Sequence, residues 1–345
     1  MKPQVYLIHA AATDNLDTIH KKLLTLYQHA DFDRCVEPQD LVAIKIHFGE
    51  EGNKTFIPAN YFKPLIEQIK NRNAKPFFTD TCVLYRSNRS DAVRHLQLAE
   101  KHGFSLNGIG APVIIADGLR GSNEIEIKIP GKLFSSVSIA AEGLTANAML
   151  VATHVTGHMA SGIGGVIKNI GMGLASRKGK LRQHSSMKPR IEVAKCTGCG
   201  QCILWCPEGA ITMNGHVAVI DEKICVGCGE CLTVCHFDAV KYNWKTSSKD
   251  LQKKMAEHAL GVVINKRDKM CYLNFLINIT KDCDCLNQPQ KPFMKDIGIL
   301  ASKDPVAIDK ASLDLVEQYS GKSLVSQSYP SIDPLVQLVH GEGIG

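Results

Sequence analysis

AMLVATHVTGHMASGIGGVIKNIGMG occupies residues 148–173. Its first eight residues form a short apolar run of the length expected for a buried strand. Residues 157–173 then hold six glycines with His158, Lys168 and Asn169, and no acidic side chain. This reads as the loop leaving the carboxyl end of a strand, where ligands bind in open parallel α/β sheets. Glycine admits positive φ and lets backbone come close to a ligand, so Gly162, Gly164, Gly165 and Asn169 are candidate cofactor-binding residues; Asn169 could equally be only a helix cap. Neither G-x-x-x-x-G-K-[ST] nor G-x-G-x-x-G occurs in register, which removes the generic phosphate-loop reading.

The rest of the chain supports a sheet of that kind. VYLIHA (5–10), LVAIKIHF (41–48), KPFFTDT (75–81) and VIIAD (113–117) read as strands. They alternate with amphipathic stretches at 16–29, at 58–72 with an early interruption at Pro64, and at 90–103 with Ser90 as N-cap and Gly103 as stop. Strand and helix in this rhythm imply a mostly parallel sheet with helices on both faces. EIEIKI (124–129) and SSVSIAA (135–141) suggest an antiparallel excursion. After residue 245 a helix over 247–260, strand-like GVVIN and CYLNFLINI, and a strand–loop–helix over 296–320 resume the α/β pattern.

Two copies of a cysteine run interrupt it. Cys196, Cys199, Cys202 and Cys206 are spaced C-x2-C-x2-C-x3-C before Pro207, and Cys225, Cys228, Cys231 and Cys235 repeat the spacing 29 positions later, before His236. Three thiolates at i, i+3 and i+6 can hold three corners of a cubane, while the fourth cysteine serves the other cluster. The spacing therefore assigns Cys196, Cys199, Cys202 and Cys235 to one [4Fe–4S] cluster and Cys225, Cys228, Cys231 and Cys206 to a second. Structural zinc is the competing reading, but zinc sites draw four ligands in two pairs. The organisation expected is one α/β domain over 1–188 and 246–345 with an α+β two-cluster module inserted at 189–245.

Composition sets the bounds. The chain has 345 residues, 44% hydrophobic and 21% charged, with a net charge of +6. That is ordinary for a soluble domain and well short of a nucleic-acid-binding signature. No run approaches a membrane span, and the first residues lack the pattern of a secretory leader. Thirteen cysteines in that context point away from disulfides and towards metal or redox chemistry. A cytoplasmic location with no membrane or nucleic-acid partner is expected.

Several residues could carry chemistry around the glycine segment. His154 and His158 could be ligands or catalytic groups, or ordinary loop histidines. Lys168 has no local ion-pair partner, and a desolvated lysine can bind anions or form covalent adducts. His184, among Lys180, Arg182 and Lys188, could be a ligand or part of a solvated basic patch. Cys283 and Cys285 share one face if their segment is extended; they could form a mononuclear metal site or a reactive thiol pair, or be exposed strand-end cysteines. His47, Asp80 and Arg86 lie near strand ends facing the same crevice. Cys35, Cys82 and Cys271 read as core cysteines.

Three resemblances accompany these residues. The doubled cysteine run resembles bacterial two-cluster ferredoxins. KIHFGEEGN (45–53), FFTDTCVLYR (77–86), VIIADGL (113–119), the 153–173 segment and the region from CDC through DIGILASKDPVAIDKASLDL resemble the family catalogued as domain of unknown function 362. His158, Lys168 and His184, ten and then sixteen residues apart, are similar to a segment of nickel-pincer lactate racemases. That likeness implies His158 as acid/base, Lys168 as covalent anchor of a nucleotide-derived cofactor and His184 as nickel ligand. The segment departs from that pattern: Gly164–Gly165 lie one position early, no proline follows Lys168, and those racemases carry no ferredoxin.

The leading expectation is an iron–sulfur oxidoreductase that takes electrons from a redox partner protein or other carrier and serves a small, anionic ligand in the crevice. An additional metal, nickel or zinc, is a further candidate cofactor. The alternatives are a ferredoxin-type carrier or metal-handling protein without catalysis, and a non-redox racemase- or isomerase-like enzyme with structural clusters.

Overall fold

Seven strands hydrogen-bond into one sheet in the order Val5–His9, Gly298–Ser302, Met270–Leu276, Ala148–His154, Leu41–Lys45, Lys75–Asp80, Val113–Ile115. They belong to a computed structural model that describes residues 3–85, 87–184, 188–225, 227, 229–241 and 247–345. The five strands from Met270–Leu276 to Val113–Ile115 pair in parallel. Gly298–Ser302 runs against both of its neighbours. A mostly parallel α/β sheet is therefore the architecture.

Alternation along the strands builds two cores. Val42, Ile44, Leu150, Ala152, Leu273 and Phe275 face one, beneath the helices Leu16–His29, Lys63–Asn71 and Ala92–Lys101. Ala43, Met149, Val151, Met270, Tyr272 and Leu276 face the other, beneath Val166–Gly171, Ser248–Val263 and Pro305–Ser320. Burial on both faces is why these strands read as continuous apolar runs.

Local expectations were met with some differences. Glu124–Lys128 pairs antiparallel with Ser136–Ala140, the expected excursion. Pro64 does not interrupt its helix; a 3-10 turn over Ala59–Phe62 leads into Lys63–Asn71, with the proline in the first turn, where its missing N–H costs nothing. The 92–101 helix is capped by Asp91, whose side chain accepts from the Arg94 N–H, rather than by Ser90. GVVIN is no strand: Gly261–Val263 end the helix that begins at Ser248, because Gly261 lets it lie against Val137 and Ile139.

The cysteine module leaves the α/β body and returns at one place. Arg190–Ile191 pairs antiparallel with Val240–Lys241, which brings its two ends together. Between them lie a hairpin, Ile211–Asn214 with Val217–Ile220, and short helices at Gln201–Leu204 and Glu230–Val234. Cys228, and the expected boundary at 245, lie outside the described residues. Among the described residues no helix is long and apolar enough to cross a membrane.

Helix Val166–Gly171 crosses the 248–263 helix so closely that a Cβ on Gly171 would sit 2.2 Å from the Met255 carbonyl oxygen. Alanine gains about 1 kcal/mol of helix propensity over glycine, but overpacking against backbone costs about 1–3 kcal/mol. Gly171→Ala is expected to lower stability by up to about 2 kcal/mol in chemical denaturation; a stabilised variant would contradict this close crossing.

Candidate functional site

Lys45, Asp80 and His154 are the last residues of three adjacent parallel strands. Beyond them opens a cavity of about 420 Å³. The helices Val166–Gly171 and Arg177–His184 and the loop carrying Cys283 to Cys285 close its other sides. His47, Asp80, His154, His158, Gly164, Gly165, Lys168, Asn169, His184, Cys283 and Cys285, scattered through the sequence, all line it. Arg86 lies outside the described residues.

Asp80 organises the floor. Its carboxylate pairs with Lys45 Nζ at 3.0 Å and Arg89 at 3.3 Å. Burial alone would raise its pKa, but Lys45, His47 and Arg89 hold it well below the usual carboxylate range. Arg89 also pairs with Glu50 at 3.2 Å and donates to the Tyr85 hydroxyl at 2.7 Å. Lys45 donates to Asn169 Oδ1 at 2.7 Å, and the Asn169 amide donates to Ala152 O and Thr153 Oγ1, each at 2.9 Å. Asn169 is thus a strut between the lysine and the neighbouring strand, not a helix cap.

The histidines differ in what they can do. His154 spends both ring nitrogens inside the protein: Nδ1 donates to Asp284 at 2.9 Å and Nε2 to the Ile277 carbonyl at 2.9 Å. Burial opposes its charge, yet Asp284 and these carbonyls raise its pKa, so it fixes the Asp284 loop and has no nitrogen left for a substrate. His158 Nδ1 accepts the Ser161 backbone N–H at 3.1 Å, which puts the neutral ring's proton on Nε2. Burial, then Lys168 and His184, push its pKa well below the usual value, so the ring is a neutral donor. His47 follows the same pattern: Nδ1 accepts from Gly49 N–H at 3.0 Å, and Nε2 is buried without a partner. Burial lowers His184 to about 4, helped by Lys168 and Lys180; it lines the cavity and is no solvated patch.

Lys168 is lowered to about 8 by burial and by Arg89, and its Nζ donates to Cys283 Sγ at 3.4 Å. Lys180, also lowered to about 8 by burial, donates to Thr81 Oγ1 at 2.7 Å and Ala175 O at 2.6 Å. Four lysine and arginine side chains (Lys45, Arg89, Lys168, Lys180), besides the His154 ring already held by Asp284, face two carboxylates (Asp80, Asp284) across the lining. The balance favours an anion. Lys45, Arg89, Tyr85 and Lys180 carry much of this electrostatic frame without a motif of their own.

The glycine segment is not a loop. Thr156–His158 and Gly162–Gly164 form a hairpin that runs into helix Val166–Gly171. Asp309 occupies that helix's N-terminus, accepting from Val166 N–H at 2.7 Å and Ile167 N–H at 2.9 Å. A carboxylate in that place leaves no room for a phosphate. The glycines assigned to a cofactor answer to protein neighbours. A Cβ on Gly165 would lie 2.4 Å from the Asp309 carboxylate, one on Gly164 2.7 Å from Thr156 Oγ1, and one on Gly162 3.0 Å from Pro334 and Val325.

Cys283 and Cys285 are joined by a disulfide, against the expectation of thiols only. Their segment turns instead of extending, Cys283 is buried, and the sulfurs meet at the cavity wall. Ligand atoms of His158, Cys283 and Cys285 lie within 4.8 Å of one another, a trio that could hold a thiophilic ion if the sulfur–sulfur bond opened.

In the cysteine module the sulfurs group crosswise. Cys196, Cys199, Cys202 and Cys235 line one small cavity, and Cys206, Cys225 and Cys231 another. Gly198, Gly200, Gly227 and Gly229 all have φ between 69° and 82°, the same left-handed bend in each copy. Backbone N–H groups of Ala210, Ala218 and Ala239 donate to Cys206, Cys196 and Cys235 Sγ at 3.2, 3.5 and 3.2 Å. Thiolates around an iron–sulfur cluster receive such bonds.

At pH 8 about half of Lys168 is neutral, against well under 1% of a lysine near the ordinary pKa of 10.4. A small acylating reagent is therefore expected to modify Lys168 roughly tenfold or more faster than surface lysines at pH 8, with a midpoint near 8 when followed by peptide mass spectrometry. A midpoint at 10 or above would mean the cavity does not desolvate it.

Comparison with known proteins adds three findings. No curated protein matches the chain. Two solved structures are similar in outline: the lactate racemase apoprotein from Thermoanaerobacterium thermosaccharolyticum, at 12% identity and a TM-score of 0.49, and a protein from Thermotoga maritima at 10% and 0.47. Each match covers 90% of this chain but only 57% and 60% of the other, so the chain spans less than two thirds of either. Residues 42–314 match the family model for the domain of unknown function DUF362, and the chain belongs to that family.

Proposed function

We propose that the protein is an iron–sulfur oxidoreductase that binds two [4Fe–4S] clusters and serves a small anionic ligand in the 420 Å³ cavity. The observation that carries this reading is the crosswise grouping of the module's cysteines, Cys196, Cys199 and Cys202 with Cys235, and Cys225 and Cys231 with Cys206. Two pairs around a zinc ion would not need that exchange. Cys228 would complete the second set. When bound, the clusters supply single electrons.

The α/β residues supply the remaining functions. Lys168 and Lys180 attract the anion, and the Asp80–Arg89–Glu50 network keeps the floor rigid. His158 and His47 each hold a proton on Nε2 for an incoming acceptor. A carrier without catalysis would not need such a cavity. A second reading rests on the trio of His158, Cys283 and Cys285: a nickel or zinc ion held there would make the site a metal-dependent, non-redox one. A nucleotide-derived cofactor on Lys168 would favour the racemase-like alternative.

Metal and sulfide analysis of anaerobically purified protein separates these readings. About eight irons and eight sulfides per chain are expected. Nickel or zinc in their place would select the second reading, and an added mass on Lys168 the racemase-like alternative. Cys196→Ala and Cys231→Ala are each expected to remove about half of the absorbance near 400 nm. Unchanged absorbance in both would defeat the ligand assignment.

A further inference from the structure

Cys283 and Cys285 close a loop with a single residue between them. The stabilisation a cross-link gives grows with the length of chain it closes, so this one contributes little as a staple. Cys35, Cys82 and Cys271 in the α/β body form no disulfide, and where thiols are kept reduced an isolated disulfide is more often catalytic or redox-sensing than structural. Its position agrees. Both sulfurs' residues line the cavity, and Lys168 Nζ lies 3.4 Å from Cys283 Sγ, where it would stabilise a thiolate.

The pair also lies at the end of a short bridge from the cysteine module. Leu232, next to Cys231, packs on Leu84 and Leu181. Leu181 also fills the space that a Cβ on Gly229 would need, 2.0 Å from its Cδ1. Leu84 precedes Tyr85, whose hydroxyl donates to the Cys285 carbonyl at 3.3 Å. Trp205, beside Cys206, stacks under Arg120 at 3.7 Å, and Glu230 faces Arg177 at 3.9 Å. The Cys206/Cys225/Cys231 side is thus the part of the module seated against the cavity wall.

We propose that Cys283–Cys285 is a redox-active disulfide of the cavity, opened by electrons from the module. This rests on the cluster reading above, since two reduced [4Fe–4S] clusters are the one-electron donors. The sulfur–sulfur bond breaks on taking up two electrons, one from each cluster. Cys285 takes one proton from water and leaves as a thiol; Cys283 remains a thiolate against the Lys168 ammonium. One-electron supply thereby becomes a two-electron dithiol facing the anion site.

The test uses the cluster-loaded full chain under argon, reduced with a viologen radical and then alkylated with iodoacetamide. The peptide carrying Cys283 and Cys285 is expected to gain two labels on reduction. Wild type should take up about four electrons per chain and Cys283→Ser/Cys285→Ser about two, the disulfide being a two-electron couple. In Cys231→Ala the two labels should appear at least about tenfold more slowly, because the adjacent cluster is lost. Eight bound irons with no gain of label would overturn the relay alone, a result read from wild type without any variant. A chain that binds no iron would overturn the cluster reading and the relay with it.

Discussion

The buried carboxylate of Asp80 holds the cavity in shape. It is the last residue of one strand, and it fixes Lys45 at the end of the next. Through Lys45 it reaches Asn169 and so the helix of the glycine segment; through Arg89 it reaches Glu50 and Tyr85. Three segments far apart in sequence, around Lys45, Asp80 and Asn169, therefore depend on one anion. Buried charge is costly to leave unpaired, so each cation here depends on a partner, and the partners share atoms. Because folding keeps Asp80 ionised below the ordinary range, its contribution is present above the unfolded carboxyl pKa and is lost as pH falls.

Against that rigid floor, the groups facing the open space are of another kind. His158 and His47 are neutral rings whose Nδ1 is committed to a backbone donor. Lys168 sits between charge states near neutral pH, a property found at reactive lysines more often than at structural ones. His154 resembles these in sequence but belongs to the frame, since Asp284 and a backbone carbonyl occupy its ring. The distinction lies in partners, which no spacing of histidines reveals.

Much of the fold was legible because its signals are local. Apolar runs of strand length and amphipathic helices each lie within a short window, and the 16–29 helix appears with the bounds the pattern gave. GVVIN failed because so short an apolar run has no period of its own; Gly261–Val263 instead end the helix from Ser248, where Gly261 packs on the strand at 136–140. The glycines make a related point: their spacing reports that something comes close, not what, and the protein neighbours include Asp309, Thr156 and Met255. Asp309 acts from 140 residues away in sequence, beyond any motif.

The site was legible in its members more than in its roles. Strand ends pointed to His47, Asp80 and Arg86; among the described residues, Lys45 and Arg89 are the lysine and arginine that pair with Asp80. The C-x-C pair was readable as chemistry, but its oxidation state was not. Whether two cysteines two positions apart bond depends on the backbone turning between them, and that turn is set by Asp284 at the middle residue. Its side chain is held by His154 and Thr55, and its carbonyl accepts from Glu50 N–H at 3.0 Å. The disulfide is thus a product of the same polar frame that Asp80 anchors, since Glu50 is also bound to Arg89. Opening it would free the sulfurs without moving the residue between them, a geometry suited to a bond made and broken repeatedly in one place.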